Sequence, residues 1–163
     1  MAVSSDAAAL LVRLVDAGVD FVLVGGVAAV VQGVPLTTLD IDLVHARDRA
    51  NVERLATLLP RLGARARGRP AEPPLLPSPE ALAGPGHQLL VSDYGAVDLL
   101  GAIEDGLAYP DLLPDCVALN LRGRTVRVLG LGRLAELKRR STRPKDRLAA
   151  ALIEDVLAAA SEG

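Results

Sequence analysis

Leu39-Asp40-Ile41-Asp42-Leu43 alternates apolar and acidic side chains without a break. A strand turns successive side chains to opposite faces, so Leu39, Ile41 and Leu43 belong to a buried face and both aspartates to the other, about 7 Å apart after two residues of rise. Aspartate is depleted in strands, and two in one short strand are costly unless something binds them. Upstream, the apolar run Phe21-Val22-Leu23-Val24 enters the pair Gly25-Gly26, a short apolar helix ends at Gly33, and Pro35 breaks the chain. A glycine pair lets backbone approach a ligand closely, and a helix start behind it turns unpaired N–H groups and a positive dipole end toward an anion. Carboxylates converging from one strand face suit hard cations. The two motifs read as a phosphate cradle followed by a metal site, the pattern of a Mg-dependent nucleotide site. The duller alternatives are a tight strand-to-helix turn and an exposed strand face. A dinucleotide site would need G-x-G-x-x-G, which the glycine pair does not supply.

At 163 residues and 50% apolar, the chain can bury one core, and a single domain over 1–163 is the expectation. Charged residues interrupt every apolar stretch before it could span a bilayer, and no signal-peptide pattern opens the chain, so a soluble, cytoplasmic protein with no membrane partner is expected. Cys116 stands alone, which excludes an internal disulfide framework and a cysteine-based zinc site. The net charge of −2 argues against blanket polyanion binding. It hides a cationic stretch, however: Arg133, Lys138, Arg139, Arg140, Arg143, Lys145 and Arg147 against Glu136 and Asp146.

Ser4 and Ser5 offer caps for a helix through Leu10, Leu11, Leu14 and Val15 that stops at Gly18. Strands are expected at 19–24 and 39–45, with the short helix at 26–32 between them. Asp48 caps a helix carrying Val52, Leu55 and Leu59 that ends near Pro60. Residues 63–86 are rich in arginine, proline and glycine and read as a mobile loop. Hairpins are expected at 87–100, around Asp93-Tyr94-Gly95, and at 117–129, around Arg122-Gly123. Two helices, 131–141 and 144–160, finish the chain. His45, His87 and Cys116 carry no signal for a role.

The glycine pair and the Asp-x-Asp strand resemble the nucleotidyltransferase superfamily that includes DNA polymerase beta. Within it they are most similar to the minimal bacterial proteins related to type IV toxin–antitoxin toxins. The matching residues are Gly25, Gly26, Asp40 and Asp42, with a third acid at Asp98 in Gly95-Ala96-Val97-Asp98-Leu99-Leu100. Near the C-terminus, Leu134-Ala135-Glu136-Leu137-Lys138 followed by Arg143-Pro144-Lys145-Asp146 resembles the helix pair that closes such domains. The chain departs from the pattern at Leu36 and Leu39, near places where many relatives carry an arginine and a lysine.

The resemblance implies an α+β fold, a mixed β-sheet flanked by helices with a C-terminal helix pair. It implies Mg-dependent transfer of a nucleoside monophosphate from ATP or another NTP to a hydroxyl on tRNA, a protein or a small molecule. Asp40 and Asp42 would serve two Mg ions, with Asp98 on the nucleophile-side ion and available as proton acceptor. Gly25 and Gly26 would hold the β and γ phosphates, and Lys138 or an arginine of its helix would neutralise the triphosphate. A toxin would also have a cognate antitoxin as partner. The alternatives are a non-catalytic NTP-binding or regulatory protein of the same fold and a purely structural partner in a two-gene module.

Overall fold

The computed structural model describes residues 4–38 and 40–162. Leu39, expected to open the second strand, lies outside them. Helix α1 (Ser5–Asp16) is capped by the Ser4 side chain, which accepts from the Ala7 N–H at 3.1 Å. Its apolar stripe buries Leu10, Leu11 and Leu14. Strand β1 (Phe21–Val24) is buried along its whole length and runs directly into α2 (Gly25–Val31). Strand β2 (Ile41–His45) follows, then α3 (Arg49–Arg61), whose Asp48 cap accepts from Asn51 N–H. The two expected hairpins form: β4 (His87–Ser92) with β5 (Gly95–Leu100), and β6 (Cys116–Leu121) with β7 (Arg124–Leu129). Helices α6 (Leu131–Arg139) and α7 (Pro144–Ser161) pack against each other and complete the α+β architecture.

The segment 63–86 is irregular for most of its length, as expected of a loop, with two short elements within it. It contains a two-residue strand, β3 (Arg65–Ala66), paired with β4, and a five-residue helix, α4 (Pro79–Ala83). Leu82 of α4 is fully buried, and its carbonyl accepts from the buried His45 side chain at 2.7 Å. One deep leucine and one polar tie across the sheet supply the burial that the segment's composition lacks. Between the hairpins the chain makes a further short helix, α5 (Tyr109–Leu112), anchored by Leu112.

Among the described residues the sheet has seven strands in the order β3-β4-β5-β2-β1-β7-β6. The β2–β5 and β1–β7 pairs are parallel and the others antiparallel. The core cluster collects Ile41 and Leu43 from β2, Val97 and Leu99 from β5, and Leu90 from β4. The period-two pattern therefore sends the odd positions of β2 inward as expected and leaves Asp42 on the opposite face. Among the described residues no helix is long and apolar enough to cross a membrane.

Candidate active site

The site forms where β1 ends and two parallel strands lie side by side. Val24, the last residue of β1, is register partner of Asp42, and Asp42 is register partner of Asp98 on β5. Directly opposed residues share a sheet face, so the two carboxyls meet. Burial pushes the Asp42 carboxyl up from 3.8 to about 7; the Asp98 carboxylate adds to the rise by its charge and as a hydrogen-bond acceptor for the protonated form, and Asp40 contributes a little more. Lys138 pulls in the opposite direction. Two acids held together against their mutual repulsion form a site that gains from a cation.

Gly25 is required here. It opens α2 at φ +70, in the left-handed region, and an added Cβ would lie 2.2 Å from Asp42 Oδ2. Only a residue without a side chain lets this turn reach the acid pair. Gly26 is tight as well, since a Cβ there would stand 3.0 Å from the Thr38 side chain. The chain that returns from α2 to β2 thus closes over the glycine turn.

The other expected residues take more qualified positions. Asp40 is exposed and precedes β2 instead of lying within it, near enough for its charge to act on Asp42. Among the described residues no three His, Cys, Asp or Glu side chains gather as a ready metal-binding group. Asp42 and Asp98 are brought together, and their oxygen donors fit a hard cation such as Mg. Lys138 acts on Asp42 at a distance, yet its ammonium is held 3.1 Å from Asp146 Oδ1. Asp146 also accepts from Ser141 Oγ at 2.7 Å and Arg143 Nε at 2.8 Å. Burial alone would raise its pKa, but these bonds prevail and hold it below the usual carboxylate value. Leu36 packs against the core.

Sequence reasoning missed one residue of the site. Arg67 donates to Asp98 Oδ1 at 2.5 Å and to the Leu90 carbonyl at 3.0 Å. The every-second-residue arginines at 65, 67 and 69 were its signal, a strand-like period inside a stretch otherwise marked as loop. A surface hollow of about 420 Å³, lined by Phe21, Ala118, Thr125 and Arg127 among others, lies elsewhere and contains none of these acids.

No protein-family model matches the chain, and no curated protein matches it in sequence. Solved structures do match in fold. The lincomycin-bound lincosamide antibiotic adenylyltransferase LnuA superposes with a TM-score of 0.64 over 93% of this chain and 96% of its own, at 15% identity. A Thermotoga maritima protein carrying a nucleotidyltransferase assignment gives 0.55 over 95% and 90%, at 19% identity. The antibiotic-resistance factor ANT(2'')-Ia gives 0.56 over 92% and 83%, at 16% identity. The acid pair and its glycine turn are therefore carried on the nucleotidyltransferase fold.

Proposed function

We propose that the protein transfers a nucleoside monophosphate from an NTP, ATP being the first to test, to a hydroxyl acceptor in a Mg-dependent reaction. The observation that carries this reading is the register match of Asp42 and Asp98 on adjacent parallel strands, with Gly25 lying against Asp42. Gly25, Gly26 and the start of α2 would receive the β and γ phosphates through backbone N–H groups. Asp42 and Asp98, with Asp40 at the rim, would hold Mg. Bound there, Mg lowers the pKa of the attacking hydroxyl and neutralises charge on the departing oxygen. The acceptor oxygen bonds to the α-phosphorus, the bond from that phosphorus to the pyrophosphate oxygen breaks, and the hydroxyl proton passes to the Asp98 carboxylate. Lys138 would place its charge beside the triphosphate while staying tied to Asp146.

Incubation with each labelled NTP, Mg and separate RNA, protein and small-molecule fractions tests the proposal. Label should move to one fraction in wild type and to none in Asp42→Asn. Transfer that survives in Asp42→Asn would defeat it. The toxin version adds an acceptor in tRNA or protein and a cognate antitoxin, and growth arrest on expression is its readout. Leu36 favours a second reading, since an aliphatic residue packs where many relatives place an arginine. In that reading the protein binds Mg and NTP without turnover, and Leu36→Arg should strengthen triphosphate binding, more at low salt than at high.

A further inference from the structure

The strand registers place a single row of side chains across the sheet. Arg65 pairs with Val91 and Ala66 with Leu90, and the Arg67 N–H donates to the Leu89 carbonyl at 2.9 Å, so Arg67 stands opposite Leu89. Leu89 is register partner of Asp98, and Asp98 of Asp42. The row therefore runs Arg67, Leu89, Asp98, Asp42 and ends at the Gly25 turn, all on one face. Leu89 is 48% exposed, an uncovered apolar surface between the arginine and the acid pair.

This inference rests on the nucleotidyl-transfer reading above. In-line transfer requires the attacking oxygen opposite the departing pyrophosphate. With phosphates at Gly25, the acceptor approaches from the Asp98 end and lies over Leu89, where Arg67 is the next side chain in the row. The segment that forms this edge, 61–71, holds Arg61, Arg65, Arg67 and Arg69 and no acid. Such a flank attracts anions and repels polycations. It is also poorly suited to unpaired bases. The chain has one Phe, two Tyr and no Trp, Phe21 is buried, and both tyrosine hydroxyls are engaged, by Arg13 and Arg127.

We propose that the acceptor is a small hydroxyl compound bearing a phosphate or carboxylate close to its hydroxyl, and that Arg67 is the residue that recognises this anion. Arg67 now holds Asp98. An anion that takes the guanidinium releases the carboxylate beside the hydroxyl it must serve, so the right acceptor frees its own proton acceptor. An alcohol without the anion leaves Asp98 tied to Arg67.

Calorimetric titration of the full chain, with Mg and a non-hydrolysable ATP analogue present to fill the phosphate cradle, tests this. The probes are glycerol 3-phosphate, glycerol, kanamycin as a polycation rich in hydroxyls, and a short single-stranded RNA. Glycerol 3-phosphate should bind about tenfold or more tightly than the other three. Arg67→Gln should remove most of that preference, and Asp98→Asn, which frees the arginine, should tighten glycerol 3-phosphate binding. Unchanged binding in Arg67→Gln, or tighter binding of kanamycin or RNA, overturns the proposal, as does an absence of binding by glycerol 3-phosphate. If the ATP analogue fails to bind while glycerol 3-phosphate still binds through Arg67, nucleotidyl transfer falls and the anion site stands.

Discussion

Two aspartates flank Lys138 and have opposite fates. Asp146 is buried and meets three donors, from Ser141, Lys138 and Arg143, so its charge is satisfied and its pKa is held down. Asp42 lies in the sheet against another carboxyl, with the lysine's charge reaching it only at a distance, and its pKa is pushed up to about 7. The first arrangement contributes stability to the α6–α7 junction. The second costs stability and stores an affinity for positive charge. Residue type does not separate a satisfied acid from an unsatisfied one here; the donors present in the free protein do.

The contrast is broken most severely by exchanging the roles. Asp42→Asn should lower label transfer at least about 100-fold while the fold persists, whereas Asp146→Asn should keep transfer measurable. Radiolabel transfer on both purified variants decides it, and equal losses would erase the distinction. Asp146→Ala leaves the Lys138 ammonium without its main partner and should cost about 2–3 kcal/mol, discounted because Arg143 is largely exposed. Urea unfolding reads that loss.

The pH dependences should run in opposite directions. A carboxyl whose folded pKa is raised binds more protons in the folded state, so stability falls as pH climbs from about 4 to about 7. Asp42→Asn removes this penalty: it should match wild type at pH 4 and exceed it by roughly 1–3 kcal/mol at pH 8. Asp146, with a lowered folded pKa, contributes stability that is present above the ordinary carboxylate value and lost as pH drops through its folded pKa. Thermal melts test both slopes, from about pH 4 to about pH 8 for Asp42 and below about pH 4 for Asp146. The smallest effect should come from Lys138→Met, which raises both carboxyl pKa values, Asp146 by losing a bond and Asp42 by losing only a distant charge. Carbon-detected NMR titration would show the larger rise at Asp146.

The half of the site on β1, α2 and β2 was legible because its constraints are local. A period of two sorted Ile41 from Asp42, and a glycine pair after an apolar run located the turn. Asp98 was legible only through the resemblance, since one acid on a strand carries little signal and its pairing with Asp42 is a long-range register. The two short elements within the loop 63–86 were missed for a related reason. The segment's proline and arginine content describes the local chain correctly, but β3 is two residues long and α4 is fixed by Leu82 and His45, contacts that lie outside any sequence window. Arg67 disappeared with that segment. Lys138 was placed on the right helix, and its bond to Asp146 depends on how α6 packs against α7.

The turn at Gly25 has a consequence for any collection of chains sharing this fold. Because the Asp42 carboxylate occupies the volume a first side-chain carbon would need, one methyl group acts as a lock on the acid pair. A sequence could keep all three aspartates and still lose this arrangement if alanine stood at this position, since the acid would be displaced and the turn strained together. Identity at position 25 is thus a one-letter test of whether a chain can keep this turn against the acid, and it can be applied before any protein is made.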